Sequence, residues 1–526
     1  MAVQRTEINA IIDRNLTKFD KPGVLSIRPG FKVTKDWLTR TPSIVVTVHQ
    51  KVDSPPRGTA LPKRVESVAV DVRQASKTKR EEIEDPHVYS SKLRLTPDTG
   101  AVPHFHDERT PTGGRPALAA SAHAQLAAIP KPHLDYSGPA DTALEPMEVD
   151  ATIQLSASPD SGWKTLKTFL GATGKSLTVG LYDFTSGHVE QTVAQALSGK
   201  QLKLVLDHPP KNPTADQTDA QTVAELEQQL GSKFQWAWAL TRTDTEATAW
   251  IYPTSYHIKV AVQDSSALWL SSGNWNNSNQ PAIDPSTSAA DAQEARHRDR
   301  DWHVVIGNSD LAEVFEKYIL NDLAQAAGHN NPPGPPEAPL TPPTLGGTAT
   351  KPFKQFFPAQ KISGKFRITP LLTPDPGVYT KAIKELIDGT EQTLYMQFQY
   401  IELPRAIDTT SQPFVDLVEA VIARQRAGVD VRIIMSEFEK VGYLEQLQGM
   451  GLNVVDDVRI QSNVHNKGIV VDSKRVLVSS QNWSTDGTLY NRDAGVIIDS
   501  EKAAGYFQQI FLHDWQNLAT KKALSD

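Results

Sequence analysis

Two stretches of this 526-residue chain carry one ordered set of polar residues. "SYHIKVAVQDSSALWLSSGNWN" begins at Ser255, and "NVHNKGIVVDSKRVLVSSQNWS" begins at Asn463. His257, Lys259 and Asp264 in the first correspond to His465, Lys467 and Asp472 in the second. Ser271-Ser272-Gly273-Asn274-Trp275 corresponds to Ser479-Ser480-Gln481-Asn482-Trp483. The apolar filling has drifted between the copies while the polar residues have stayed. The match extends outward: Ser158-Pro159-Asp160 aligns with Thr373-Pro374-Asp375, and Asp301 in "RDRDWHVVIG" aligns with Asp493 in "NRDAGVIID". Each copy alternates strand-like and helix-like segments, so the expected fold class is α/β (α+β layered). Each repeat is then a mixed sheet flanked by helices, and the two pack about a pseudo-dyad.

The repeats divide the chain. Residues 149–325 form the first and 363–526 the second. Residues 326–362 are so rich in Pro and Gly that they read as a linker. Residues 1–75 read as a small α/β accessory module, with a helix from Thr6 to Phe19 and strand-like runs "VLSIRPGF", "SIVVTVHQKV" and "VAVDVR". It holds no catalytic constellation, which points to a scaffold or regulatory role open to an unidentified partner. Residues 76–148 are polar, Pro-rich and weakly periodic, as expected of a disordered linker. His104, His106 and Asp107 in "HFHDE" fall there and read as incidental rather than as a metal site.

Composition removes some chemistry. Without cysteine there is no disulfide, thiolate zinc site or cysteine nucleophile. A net charge of −7 gives no global basic field to attract nucleic acid, though it leaves room for a local basic groove. The N-terminus lacks the apolar core of a secretory signal, and no run reaches the roughly 18 apolar residues of a membrane span. The expected location is cytoplasmic, with peripheral membrane contact left open.

The motif spacing brings the polar groups together. Residues i and i+2 share a face of a strand, so His257 points with Lys259 and His465 with Lys467. Asp264 and Asp472 fall at strand ends, in turns. The return strands deliver Ser272 and Asn274, or Ser480 and Asn482, beside the starting pair. One imidazole, one ammonium, one hydroxyl and one amide suit a phosphate and the oxyanions of its transition state. Imidazole can attack phosphorus or carry a proton at neutral pH. Two facing copies supply a nucleophile on one side of a phosphodiester and an acid on the other.

HxK followed by four residues and Asp, twice, each with a downstream Ser-x-Asn, resembles the phospholipase D superfamily across residues 150–520. The resemblance implies phosphodiester hydrolysis or transfer through a phosphohistidine, with no cofactor and no metal. It makes His257, Lys259, Asp264, His465, Lys467 and Asp472 the catalytic motifs, with His257 the nucleophile and His465 the acid. Lys259, Lys467, Asn274 and Asn482 would grip the phosphate, supported by Ser272 and Ser480. Asp264 and Asp472 would serve structurally, away from the phosphate. Asp301 and Asp493 would orient the imidazoles. The family often has Gly-Ser before x-Asn, whereas both copies here have Ser-Ser, which puts the pocket's detail in doubt. The leading substrate is a phospholipid. A nuclease of the same superfamily and a non-catalytic phosphate-binding adaptor are the alternatives. Trp275 and Trp483 read as packing their loops onto the core, and His303 as structural. "HRDRD" at 297–301 reads equally as a groove for an anion or as a solvated turn. Tyr182, Asp183 and Phe184, with Phe398, Gln399 and Tyr400, end matched strands and are candidates to border the site.

Overall fold

The computed structural model describes residues 5–52, 55, 58–75, 80, 136–207, 217–239, 255–326, 356–375, 377–404 and 407–523. The "HFHDE" stretch lies outside them. In the N-terminal module, α1 (Arg5–Arg14) lays Ile8, Ile11 and Ile12 on a four-stranded sheet. The strands are β1 (Val24–Thr34), β2 (Trp37–Val48), β3 (Arg64–Val65) and β4 (Val68–Gln74), in the order β1-β2-β4-β3. β1 and β2 form a long antiparallel hairpin that turns at Lys35 and Asp36, and β4 joins β2 in parallel.

The first repeat runs β5 (Met147–Ser158), α2 (Gly162–Gly171), β6 (Ser176–Leu181), α3 (Gly187–Ala196), β7 (Gln201–Leu206) and α4 (Asp219–Leu230). It continues through β8 (Phe234–Trp238), β9 (Lys259–Gln263), β10 (Ala267–Ser271), β11 (Asp301–Gly307) and α5 (Ser309–Ala326). The second runs β12 (Gln360–Thr373), α6 (Val378–Asp388), β13 (Thr393–Phe398), β14 (Ile401–Glu402), α7 (Gln412–Arg426), β15 (Asp430–Ser436) and α8 (Val441–Met450). It closes with β16 (Val458–Gln461), β17 (Lys467–Val471), β18 (Arg475–Ser479), β19 (Trp483–Ser484), β20 (Asp493–Asp499) and α9 (Glu501–Asn517). Local signals set the ends of several elements. Thr218 and Gln221 form a capping box on α4, and Ser500 caps α9 by accepting from the Ala503 amide.

Both repeats share one 14-stranded mixed sheet, ordered β16-β15-β13-β17-β18-β20-β12-β5-β11-β10-β9-β6-β7-β8. β5 and β12 pair antiparallel at its centre. Read outward from there, the halves match strand for strand. The apolar runs of β7, β13 and β15 lack alternation because helices cover both faces of the sheet. One core crosses the dyad: Leu311, Phe315 and Ile319 of α5 and Phe507, Ile510 and Phe511 of α9 pack under strands of both halves. Two others are private, one under α2, α3 and α4, the other under α6, α7 and α8. Trp302 of the first repeat stacks on Phe507 of the second, 4.7 Å between ring centroids, which adds roughly 0.5–1.5 kcal/mol beyond area burial. The sharing means that the halves pack on one another through a common core besides their private ones. β12 opens at Gln360, inside the stretch that composition assigns to the linker. Residues before β5 are also tied down: Asn321 and Gln325 of α5 donate to the Ser137 carbonyl, and Tyr318 donates to that of Thr142.

Candidate active site

Each motif begins just before an inner strand and ends in a tight turn. Asp264 and Ser265, and equally Asp472 and Ser473, take positive φ between 52° and 55°, as a type I′ hairpin turn requires. That conformation is unfavourable for residues with a Cβ. The aspartate side chains offset it. Asp264 accepts from the amides of Gly174, Lys175 and Ser176 at 2.7, 2.7 and 2.8 Å. Asp472 accepts from Glu391, Gln392 and Thr393 at 2.9, 2.7 and 2.8 Å. Burial works against both charges, but the three amides outweigh it and hold each carboxyl below its usual range. The structure therefore places Asp264 and Asp472 at the far ends of β9 and β17, tying each hairpin to the start of β6 or β13.

At the other ends of the hairpins the repeats meet. Arg300 donates its amide to the Asn463 carbonyl at 2.7 Å, and His465 donates to that of Arg300 at 3.1 Å. Symmetrically, the Arg492 amide donates to Ser255 at 2.9 Å. These bridges cross the histidines and carboxylates between halves. His257 Nδ1 lies 2.8 Å from Asp493 Oδ1, and His465 Nδ1 lies 3.0 Å from Asp301 Oδ1. Each Nδ1 is thus held by a carboxylate of the opposite repeat, which turns Nε2 toward the site, although Nε2 of His465 also meets the Lys467 ammonium at 3.1 Å.

Lys259 and Lys467 are fully buried, and each ammonium donates to the carbonyl of the histidine two residues before it. Burial pushes Lys259 well below the ordinary lysine range and Lys467 down to about 8. Burial, then the neighbouring ammonium, lowers His257 to about 3 and His465 to about 4. Asp301 is lowered as well, against its burial. Burial would raise it, but His465 and Lys467 hold it down at about 2. Asn274 and Asn482 are 5% and 6% exposed, and their side-chain amides make no hydrogen bond among the described residues. The site thus offers two imidazole Nε2 atoms, two ammonium groups and two unengaged amides.

The two halves are not identical. The Tyr182 ring meets His257 edge-on at 4.9 Å and lies 5.1 Å from the Lys259 ammonium. Lys467 instead lies 3.1 Å from both ring nitrogens of His465.

Several expectations need correction. Ser272 and Ser480 do not face a phosphate. Their hydroxyls donate to Asp301 Oδ1 at 2.7 Å and Asp493 Oδ1 at 2.6 Å, and accept from the amides of Trp302 and Ala494 at 3.0 Å. They fix the carboxylates that fix the histidines. Of the strand-end candidates, Phe184 and Phe398 are fully buried, packed against Trp275 and Trp483, each at 4.9 Å.

Arg300 belongs neither to a solvated turn nor to an open groove. It is 2% exposed and pairs with Asp160 and, at 2.8 Å, with Asp514 of the other repeat. Arg492 mirrors it, pairing with Asp322 at 2.5 Å and Asp375 at 3.2 Å. Tyr136 accepts from Arg492 at 2.9 Å and donates to Asp375 at 3.0 Å. This double clamp went unread, although Arg-Asp at 300–301 and 492–493, and Pro-Asp at 159–160 and 374–375, both recur in the duplication.

A family model described as the cardiolipin synthase, phospholipase D-like domain matches residues 383–515. A phospholipase D of Rickettsia conorii is 29% identical over 154 residues, which span 29% of this chain and 68% of that protein. The phosphatidylserine synthase of Haemophilus influenzae superposes with a TM-score of 0.46 at 14% identity, covering 70% of this chain and 88% of that one. Nuc of Salmonella typhimurium, a phospholipase D family member, gives 0.24 at 20% identity over 29% of this chain and 95% of its own. The matched family region is the half that carries His465, the other half repeats it strand for strand, and residues 383–515 are thus similar to the phospholipase D-like family.

Proposed function

We propose that this protein is a phosphodiesterase working through a covalent phosphohistidine, most readily on a phospholipid. The carrying observation is the crossed pairing of His257 with Asp493 and His465 with Asp301, beside two buried lysines. In this reading Nε2 of His257 attacks phosphorus and its lone pair forms the N–P bond. The P–O bond to the leaving alcohol breaks with its electron pair on oxygen, which takes the proton from Nε2 of His465. Water or a second alcohol then attacks the phosphohistidine, and His465 takes its proton back. The N–P electron pair returns to His257. Lys259, Lys467, Asn274 and Asn482 hold the non-bridging oxygens, while Asp493 and Asp301 stabilise the imidazolium charge at each step. Both imidazoles are lowered by burial and the neighbouring ammonium, so the site of the phosphoenzyme label decides which of them is the nucleophile.

Three observations support a lipid substrate. The matched Rickettsia proteins are named phospholipase D. The net charge of −7 opposes a polyanionic strand. Ile407 and Phe438, 57% and 43% exposed, sit on loops that follow β14 and β15, beyond the strand ends nearest the site.

The test gives purified protein phosphatidylcholine vesicles, single-stranded DNA and bis-p-nitrophenyl phosphate. Release of phosphatidate is expected. Preferential cleavage of DNA would move the substrate to nucleic acid, and cleavage of nothing would leave a phosphate-binding adaptor. His257→Asn and His465→Asn should each lose at least about a hundredfold in turnover. Acid-quenched phosphoenzyme should carry its label on His257; a label on His465 would reverse the roles.

A further inference from the structure

We propose that Asp299 is a positioning residue for His465, acting through Asn279 and Asp301 to make this histidine the acid–base half of the site; the inference rests on the phosphodiesterase reading. The observation is a break in the symmetry. Counted from the matched Asn274/Asn482 and Asp301/Asp493, Asn279 stands where the second repeat has Gly487. Asp299 stands where it has Asn491. In the first repeat the Asn279 side-chain amide donates to Asp299 Oδ2 and to Asp301 Oδ2, each at 2.9 Å. Its carbonyl accepts from the Asn274 amide at 3.0 Å, and Ser278 donates to Asp299 at 2.6 Å. Asp301 is thus bonded through both oxygens. Its counterpart Asp493 has a buried Oδ2 with no hydrogen-bond partner.

The carboxyl of Asp299 is faced by Asp301 on its own segment, Glu437 beyond β15 and Lys467 on β17, besides neutral Ser278 and Asn279. Burial, then Asp301, pushes it up to about 7, against the pull of Ser278 and Lys467. Glu437 accepts from the Asn463 amide at 2.8 Å, two residues before His465. No carboxylate replaces Asp299 beside Asp493, because that position is Asn491. A general acid must be imidazolium when the substrate is bound, and nearby negative charge favours that form. A nucleophile must stay neutral. Asp183 bears on Lys259 on the His257 side, but among the described residues only Asp299 is joined through Asn279 to the carboxylate that holds a histidine, and Asn279 links it also to the loop that carries Asn274.

Asp299→Asn removes the charge while keeping an oxygen able to accept from Ser278 and Asn279. Wild type and variant are compared across pH on bis-p-nitrophenyl phosphate, whose leaving group needs little protonation, and on diphenyl phosphate, whose leaving group needs more. The expected loss in kcat is about tenfold on diphenyl phosphate and under about twofold on the nitrophenyl ester, with KM nearly constant. The alkaline limb of the profile moves to lower pH. Asp299→Ser, which also removes the charge and leaves Asn279 in place, should show the same bias and serves if Asp299→Asn does not fold. Equal losses on the two esters, or an unmoved profile, overturn the inference alone. A wild type that cleaves neither ester overturns the phosphodiesterase reading and the inference with it.

Discussion

A neutral imidazole that presents Nε2 needs an acceptor at Nδ1, and each histidine here finds one in the other half of the molecule. The arrangement has a cost that pH can reveal. His465 is held near 4 and His257 near 3, whereas an imidazole in the unfolded chain titrates near 6.5. Between about pH 6.5 and 4 the unfolded state therefore binds protons that the folded state does not. Both groups contribute stability that is fully present above pH ~6.5 and is lost as the pH falls toward the folded values. Each can supply a slope of up to about 1.4 kcal/mol per pH unit in that window. Replacing His465 with Asn should flatten the denaturation midpoint against pH between 4 and 6.5 by up to one proton. Equilibrium unfolding at half-unit steps measures it. An unchanged slope would mean that His465 is already charged in the folded protein, held by Asp301. Below about pH 4 the low-lying carboxyls of Asp301 and Asp514 take over in the wild type, and the variant, whose Asp301 has lost His465, should show the shallower acid slope there too.

At the scale of the element, the halves fit because their differences compensate. Trp302 on β11 occupies the place that Ala494 holds on β20, and Gly468 on β17 the place that Val260 holds on β9. A Cβ on Gly468 would lie 2.4 Å from the Trp302 ring, so the large side chain of one repeat requires the missing one of the other. Gly468→Ala should overpack this seam and cost about 1–3 kcal/mol, read from urea unfolding. The paired change Gly468→Ala with Trp302→Phe should recover part of the loss; full additivity of the two costs would refute the contact. Such compensation marks the limit of what was legible beforehand. Periodicity, turn residues and duplication are local or self-referential signals, so they reached the alternation of strands and helices within a repeat, the hairpins and the aligned polar sets. Which carboxylate meets which histidine is a dyad contact with no period in the chain. For that reason Asp301 and Asp493 could be picked as orienting groups without their crossed partners. Ser272 and Ser480 were placed on the wrong neighbour because a hydroxyl reads alike whether it faces a phosphate or a carboxylate. Arg300 read equally as part of an anion groove or of a solvated turn because a charged run gives no sign that a buried acid waits in the opposite repeat.

On the scale of the whole molecule, the N-terminal module is docked rather than tethered. Glu445 on α8 pairs with Arg28 at 2.5 Å and Arg73 at 2.9 Å, and it accepts from the Phe31 amide at 2.9 Å. All three side chains are under 10% exposed. Burial alone would raise the Glu445 carboxyl, but the two arginines hold it below its ordinary range, so it remains charged. Around this ion triad Trp37 and Leu38 enter the core of the second repeat, and Gln448 donates to the Thr39 carbonyl at 2.8 Å. A buried charge group of this kind contributes little when complete and costs much when one partner is removed. Glu445→Gln would remove the carboxylate that Arg28 and Arg73 share and leave Arg73 with Asp71 at 3.0 Å, a penalty of up to about 3–5 kcal/mol falling on the contact between module and repeat. The repeats themselves are joined elsewhere, by β5 with β12 and by the two arginine clamps. Hydrogen exchange should therefore speed up in β1, β2 and α8 of the variant, while β9 and β17 keep their protection. Turnover per folded molecule of bis-p-nitrophenyl phosphate should hold, since nothing in the triad touches the site. Uniform loss of protection across β9 and β17 would instead make the module part of the same cooperative unit as the active site, and the docking contact would then have to be counted among the interactions that hold the two histidines in place.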